Sequence, residues 1–157
     1  MEQATFAAGC FWGIEATFRQ LPGVLDTSVG YIGGDTDQPT YKEVCTGDTH
    51  HAEAVQIIFD PAQVSYAQLL EVFWQCHDPT QLNRQGPDVG TQYRSAIFYH
   101  SPQQEMTALN SKAQQQNNGR FRKPIVTAIV PASTYFPAEE YHQQYLEKRG
   151  LAHCSIK

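Results

Sequence analysis

Short apolar segments with the spacing of strands alternate along the chain with segments that have the spacing of amphipathic helices. Strands are predicted at five places, over residues 4–8, 25–31, 55–59, 93–99 and 125–130. Helices are predicted at four places, over residues 14–21, 65–76, 102–117 and 137–149. The order βαβ followed by three βα units predicts an α/β (α+β) fold, a two-layer sandwich with a mixed central β-sheet.

Polar residues at the ends of these segments strengthen the prediction. Ser65 and Gln68 form a capping-box pair that opens one helix, and Pro102 after a serine marks the start of the next. Residues 33–39 are predicted to form a loop. Residues 77–92 form a longer predicted loop, rich in Pro and Gly and poor in apolar anchors, of the kind that usually carries function.

Composition limits the class of protein. The 157 residues and 41% hydrophobic content predict a single domain over residues 1–157 with one hydrophobic core. A net charge of −5, with no cluster of Lys and Arg that marks a phosphate track, predicts no nucleic-acid partner. Apolar runs are far shorter than the roughly 20 residues that cross a bilayer, so no membrane span is expected. We expect a monomer.

The four cysteines, at positions 10, 45, 76 and 154, bear on location and chemistry. The first predicted strand begins at Ala4, and no basic stretch followed by an apolar segment precedes it, so a reducing, cytoplasmic location is expected. In such a compartment cysteines are free or redox-active more often than they form a structural disulfide framework.

Cys10 lies between Gly9 and a predicted helix start. Unpaired backbone N–H groups and the positive end of the helix dipole stabilise an anion at that place, which predicts a lowered thiol pKa and a reactive thiolate. Phe11 and Trp12 would wall an apolar pocket beside the sulfur. The residues alone equally allow Cys10 to be a small core residue among core aromatics.

The segment GCFWGIE, residues 9–15, resembles the active-site motif of the A-type peptide methionine sulfoxide reductases. Further segments resemble that family in order and spacing: GYIGG at 30–34, HAE at 51–53, FDP at 59–61, HDPT at 77–80, NRQG and GTQYRS within 83–95, and AEEYHQQY at 138–145. The resemblance implies a ferredoxin-like sandwich. It also implies reduction of the S epimer of methionine sulfoxide, free or in proteins, to methionine.

A sulfoxide oxygen leaves only when it is protonated, so the reaction needs a nucleophilic sulfur and an acid. The resemblance makes Cys10 the nucleophile and Glu53 the acid. Apolar neighbours of Glu53 in its predicted strand would raise the pKa of the carboxyl group and keep it protonated. From the sequence alone, Glu53 could also be an exposed strand carboxylate.

Five residues are expected to bind the substrate. Tyr41 and Tyr93 match family positions whose hydroxyl groups bind the sulfoxide oxygen, although strand tyrosines usually pack in a core. Phe11 and Trp12 would bracket the methyl group. Asp88 matches the family's polar contact to the substrate backbone or to a site residue, while a Pro-Asp pair in a loop is commonly turn chemistry.

The resemblance implies a sulfenic acid on Cys10 that a second thiol resolves as a disulfide. Cys154 is the expected resolving thiol, in a tail over residues 150–157 that is expected to be mobile. Thioredoxin is the reductant that the resemblance implies. No cofactor is expected. Cys76 is expected to pack at a helix end, and a minor redox role for Cys45 stays open.

Two other functions are compatible with a reactive Cys10: a cysteine hydrolase with His51, His77 or His142 as base, and a non-catalytic module that binds Met-containing peptides. A zinc site among Cys45, His50, His51, Cys76 and His77 is disfavoured by the ligand spacing. His50 stands where the resembled family usually has Gly, so a position that needs a positive φ would place the local loop geometry in doubt.

Overall fold

The computed structural model describes residues 1–150. Residues 151–157, with Cys154 and most of the expected tail, lie outside the described residues. In the described part the strands are β1 (Glu2–Ala8), β2 (Val24–Ile32), β3 (Ala52–Phe59), β4 (Arg84–Gln85), β5 (Asp88–Val89), β6 (Ser95–Tyr99), β7 (Ala128–Pro131) and β8 (Phe136–Pro137). The helices are α1 (Phe11–Arg19), α2 (Tyr41–Cys45), α3 (Tyr66–Gln75), α4 (Pro102–Asn117) and α5 (Tyr145–Lys148).

Six strands form one mixed sheet in the order β7-β6-β1-β3-β2-β8. The pair β6–β7 is parallel, and the other pairs are antiparallel. Strands β4 and β5 form a separate small hairpin inside the long loop between α3 and β6. The register of β2 and β3 places Tyr31 opposite Glu53.

The two faces of the sheet differ in what covers them. One face carries large side chains, such as Phe6 and Ile57, that pack against Phe18 of α1 and Phe73 of α3 in the main core. The other face carries mainly small residues and is covered by Ala132 and Tyr135 of the segment between β7 and β8. This arrangement is the predicted two-layer sandwich with a mixed sheet.

Local polar signals correctly marked helix ends. The capping box of Ser65 and Gln68 opens α3, and the Ser101 side chain accepts a hydrogen bond from the N–H of Gln104 at the start of α4. The helix α2 was not predicted, although Thr40 and Glu43 form a second capping box at its start. Within residues 1–150 no helix is both long enough and apolar enough to cross a bilayer.

The predicted helix over 137–149 is wrong. That stretch contains the end of β8, a 3-10 turn at Glu140–His142 and the short helix α5. The Gln143 side chain bonds both the N–H and the C=O of Val29, at 2.9 and 2.8 Å, and Gln144 adopts a left-handed conformation with φ 48°. Polar side chains that bond the edge of the sheet therefore replace the regular helix.

Candidate active site

Cys10 is the N-cap residue of α1, directly after β1. The turn depends on Gly9, which has φ 100° and against which Gln85 of β4 packs so closely that an added Cβ would lie 2.9 Å from Gln85 Cγ. The Trp12 backbone N–H donates a hydrogen bond to the Cys10 sulfur. The predicted strand-to-helix position of Cys10 is confirmed, and its side chain is half-buried.

The predicted lowering of the Cys10 pKa is wrong for the free site. Burial and the neighbouring Glu53 carboxyl group raise the pKa of the thiol to about 12, and the Trp12 N–H opposes them only in part. Burial removes the water that would solvate a thiolate, and one N-terminal donor does not replace it. At neutral pH Cys10 is therefore a neutral thiol when no ligand is bound.

Glu53 faces the start of α1 from β3 and is 1% exposed. Its Oε1 accepts the Phe11 backbone N–H at 3.3 Å. Its Oε2 is buried and has no hydrogen-bond partner among the described residues. Burial raises the pKa of Glu53 to about 8, with a further rise from Asp88, so the carboxyl group is mostly protonated at neutral pH, as the sequence predicted.

Tyr41 begins α2, and Tyr93 ends the 3-10 turn Thr91–Tyr93. Both rings are half-buried, and burial raises the pKa of both phenols, that of Tyr93 to about 12. Glu53 lies close enough to both to raise the two pKa values further. The two hydroxyl groups therefore remain neutral donors beside the thiol and the carboxyl group.

Trp12 supplies the accessible part of the apolar wall. Phe11 is 1% exposed and packs beneath the site, with its ring 6.4 Å from that of Tyr41 between centroids. Trp12 is half-buried and stacks on Tyr145 of α5, with 3.9 Å between centroids and an interplanar angle of 9°. Asp88 on β5 lies close enough to Cys10 and Glu53 that its charge raises the pKa of both groups.

Two residues of the AEEYHQQY segment support the site: Glu139, to which the sequence assigned no role, and His142, which the sequence offered only as the base of a cysteine hydrolase. The Glu139 carboxylate accepts hydrogen bonds from the Tyr31 hydroxyl and the Tyr41 backbone N–H, both at 2.9 Å. His142 is buried, and its Nδ1 accepts the Trp12 indole N–H at 2.9 Å. The contact of Trp12 with His142 spans 130 residues of sequence and that of Tyr41 with Glu139 spans 98, so only the family motif pointed to this segment.

The remaining histidines have structural partners. His51 accepts the Gly34 N–H at Nδ1 and donates from Nε2 to the Thr36 carbonyl. His77 donates from Nδ1 to the Phe73 carbonyl, accepts from Ser95 at Nε2, and has its pKa lowered by burial to about 4. A base for a cysteine hydrolase would need to bond Cys10, and these rings bond other groups.

Metal binding receives no support from residues 1–150, which contain no group of three or more His, Cys, Asp or Glu side chains placed to hold an ion. Cys45 is exposed and accepts a hydrogen bond from the Tyr41 hydroxyl. His50 has φ 62°, a left-handed conformation that favours glycine, and its Nδ1 lies 2.8 Å from Asp35 Oδ2. The backbone before β3 thus keeps the positive φ, and Glu53 keeps its position.

Fold and site together define a thiol-dependent oxidoreductase: a cysteine at a helix start, a protonated carboxyl group and two neutral phenols around one pocket. The family model described as peptide methionine sulfoxide reductase matches residues 2–157. The chain belongs to the peptide methionine sulfoxide reductase family. The alternatives of a hydrolase and a binding module are not favoured.

Individual relatives agree with the family model. A protein from Geobacter sulfurreducens named peptide methionine sulfoxide reductase MsrA is 62% identical over 154 residues, which cover 98% of this chain and 95% of the relative. The crystal structure of Mxr1 from Saccharomyces cerevisiae in reduced form matches with a TM-score of 0.89 and 38% identity, over 95% of this chain and 86% of Mxr1. Mxr1 in complex with Trx2 matches with a TM-score of 0.64 and 25% identity, over 92% and 84% of the two chains.

Proposed function

We propose that this protein reduces the S epimer of methionine sulfoxide, free or within proteins, with Cys10 as the nucleophile and Glu53 as the acid. The observation that carries this proposal is the pairing of an accessible Cys10 thiol with a buried carboxyl group that has one unpartnered oxygen. A bound sulfoxide oxygen would supply the partner that Glu53 Oε2 lacks.

The protonation states of Cys10 and Glu53 in the free site suit a proton transfer that begins only when the substrate is bound. The pKa of Cys10 is about 12 and that of Glu53 about 8, so the free site holds a thiol and a carboxylic acid at neutral pH. Glu53 donates its proton to the sulfoxide oxygen as the Cys10 sulfur attacks the substrate sulfur, and the carboxylate then accepts the thiol proton. The S–O bond is polarised before it breaks.

Two phenols and an indole hold the substrate. The Tyr93 hydroxyl group donates to the sulfoxide oxygen, which carries the growing negative charge, and the Tyr41 hydroxyl group donates to the same oxygen after it turns away from Cys45. Trp12 contacts the methyl group and favours it over water, with Phe11 beneath it. Asp88 accepts a hydrogen bond from the backbone of the substrate, on the side of the β4–β5 hairpin.

The bond between the two sulfur atoms then breaks as the protonated oxygen moves from the substrate sulfur to the Cys10 sulfur. Methionine leaves with the electron pair of that bond, and Cys10 becomes a sulfenic acid. The Cys154 thiol then attacks the Cys10 sulfur, water leaves, and a disulfide forms. Helix α5 packs against α1 through the stack of Tyr145 on Trp12. The chain from Tyr145 to Cys154 can span up to about 30 Å when extended, which brings position 154 within range of Cys10.

A dithiol of the thioredoxin class returns the enzyme to its reduced state by exchange with the disulfide. The match to Mxr1 in complex with Trx2 supports this partner. We place the protein in the cytoplasm as a monomeric, single-domain enzyme of residues 1–157 that repairs oxidised methionines after oxidative stress. Such a compartment supplies reduced thioredoxin and keeps Cys10 free.

Separated R and S epimers of methionine sulfoxide test the activity. With dithiothreitol as reductant, the S epimer yields methionine and the R epimer does not, since only one hand places oxygen at Glu53 and methyl at Trp12 together. Reduction of only the R epimer would contradict the assignment.

The variant Cys154→Ser tests the resolving role. It is expected to release about one equivalent of methionine per enzyme and then stop when thioredoxin is the reductant. Cys76→Ser, which removes a thiol outside the site, serves as the control and keeps turnover. Full thioredoxin-dependent turnover by Cys154→Ser would move the resolving role to another thiol.

A further inference from the structure

A cleft of about 930 Å³ lies beside the site, on the far side of the β4–β5 hairpin. Four cationic side chains line it: Arg84, Arg120, Arg122 and Lys123. We call these four residues and the space between them the basic cleft. They are four of the 11 Lys and Arg residues in a chain of net charge −5. Arg120, Arg122 and Lys123 lie close together in the sequence, and Arg84 joins them only in the folded chain.

The hydrogen bonds found for the cations of the basic cleft go to neutral groups: Arg84 donates to the Gly86 carbonyl and Arg120 to the Gln115 side chain. All four side chains are exposed, and none forms an ion pair with a carboxylate of residues 1–150. One carboxylate, Asp78, also lines the cleft, but its oxygens accept hydrogen bonds from Thr80 and Gln81. The cleft therefore presents net positive charge in a protein that is acidic as a whole.

The basic cleft and the active site lie on either side of the β4–β5 hairpin. Gln85 lines the cleft and also packs against Gly9, the residue before Cys10. Asp88, which pairs with Gln85 from the other strand of the hairpin, raises the pKa of the Cys10 thiol. A backbone hydrogen bond of 2.9 Å from Val126 to Pro79 ties the segment after the cations to the same loop. A chain that leaves the pocket over the hairpin enters the cleft.

We infer that the basic cleft binds acidic residues that flank the oxidised methionine in a protein substrate, so that the enzyme prefers sulfoxides in acidic segments. This inference rests on the proposed function. An extended peptide covers about 3.3 Å per residue, so side chains a few positions from the methionine reach past the hairpin. Four cations beside one carboxylate suit a short acidic segment better than the long phosphate track of a nucleic acid.

Paired peptides test the inference directly. One peptide carries methionine S-sulfoxide with Asp and Glu on both sides, and the other has Asn and Gln at the same positions. The acidic peptide is expected to have a kcat/KM about five- to tenfold higher at low salt, and this preference should shrink as ionic strength rises, because salt screens exposed charges. Equal values for the two peptides at low salt would overturn the inference.

The double variant Arg122→Gln/Lys123→Gln locates the effect. It is expected to lose most of the preference, while its rates with the neutral peptide and with free methionine sulfoxide stay unchanged. Lys42→Gln/Lys148→Gln removes the same charge from two exposed side chains outside the cleft and is expected to keep the preference. An equal loss in both double variants would contradict a local site.

A binding measurement tests the inference about the cleft independently of the proposed catalytic function. Fluorescence anisotropy with a labelled acidic sulfoxide peptide measures affinity without turnover, and the cleft variant is expected to bind about fivefold more weakly. Unchanged affinity in that variant would overturn the inference, whether or not methionine is formed. Tighter binding of an oligonucleotide of equal charge, or loss of only the thioredoxin-dependent rate, would also contradict it.

Discussion

Cys10 caps the start of α1 and Cys76 the end of α3, and burial raises the pKa of both thiols to about 12. Cys76 is 7% exposed and donates to the Phe73 carbonyl, and the neighbouring His77 uses both ring nitrogens in other hydrogen bonds. Cys10 is half-buried and faces a carboxyl group with a free oxygen. The two thiols share a resting pKa and differ in their surroundings.

The difference shows that the resting pKa does not distinguish the proposed nucleophile from a buried cysteine at a helix end. Access for a ligand and a nearby proton donor do so, since the donor allows the thiol to ionise as the sulfoxide is protonated. We therefore propose that the Cys10 thiol becomes nucleophilic only when a sulfoxide is bound.

Removal of the two sulfurs has the largest expected contrast. Cys10→Ser is expected to lower the rate of methionine formation by at least about a thousandfold, because a serine hydroxyl cannot take the oxygen from sulfur. Cys76→Ser is expected to keep the native rate. Assays with dithiothreitol measure both rates. A Cys10→Ser enzyme that retains about a tenth of native activity would contradict the role of Cys10 as the nucleophile.

Loss of the proton donor is the next largest effect. Glu53→Gln is expected to lower kcat about a hundredfold, because an amide cannot protonate the sulfoxide oxygen. Glu15 provides a matched control, since it is also buried but accepts hydrogen bonds from Thr27 and Gln144. Glu15→Gln should lower the melting temperature and spare kcat. An equal loss of kcat in both variants would show that Glu53 acts only through stability.

The pH dependence follows from the raised pKa of Glu53. The rate is expected to fall as pH rises through about 8, where the acid loses its proton. Glu53→Gln removes this limb. A native rate that stays level up to pH 10 would contradict the role of Glu53.

The raised pKa of Glu53 also makes the stability of the fold depend on pH, and the direction of that dependence can be measured. The carboxyl group has a pKa of about 8 in the folded chain and an ordinary value of 4.5, so the folded state binds the extra proton between these two pH values. Stability from the protonated group is fully present below pH 4.5 and is lost as pH rises to about 8. Melting curves should therefore favour Glu53→Gln over the native protein increasingly from pH 5 to pH 8.

For stability, the two cysteines are expected to rank in the opposite order from activity. Cys76→Ala is expected to lower the free energy of unfolding by about 1–2 kcal/mol, because it leaves a small cavity in the core. Cys10→Ala, at a half-buried position, should cost less. Urea denaturation measures both, and a larger cost at Cys10 would mean that its sulfur is held for packing.

His50→Gly has the smallest expected effect. Glycine accepts the φ of 62° without strain, so a gain in stability below about 1 kcal/mol is expected, and the exposed contact with Asp35 contributes little. The rate should be unchanged, because Glu53 is already in place. A change in the pH profile of the variant would show that His50 shifts the strand that carries the acid.

Much of the fold could be predicted from local signals. Alternation located β2 and β3, short apolar runs located β1 and β6, and the capping residues at Ser65 and Ser101 located α3 and α4. The segment after β8 could not be predicted, because Glu139 and Gln143 bond the far edge of the sheet and so override local helix propensity.

The site was predictable to the extent that the family motif carried it. The family motif pointed to Cys10, Glu53, Tyr41 and Tyr93, which the fold groups together, but the helix-start position predicted the wrong direction for the shift of the Cys10 pKa. Desolvation and the proximity of Glu53 outweigh the helix start, and both depend on packing between α1 and β3. The basic cleft depends likewise on Arg84 meeting residues more than 30 positions away.

Trapping of the oxidised cysteine tests the central claim most directly. Cys154→Ser enzyme is mixed with one equivalent of methionine S-sulfoxide and with dimedone, which labels sulfenic acids, and is then digested for mass spectrometry. We predict one methionine per enzyme and one dimedone label, on Cys10, with none on Cys76 or Cys45. Methionine formed with the label on another cysteine would contradict the account.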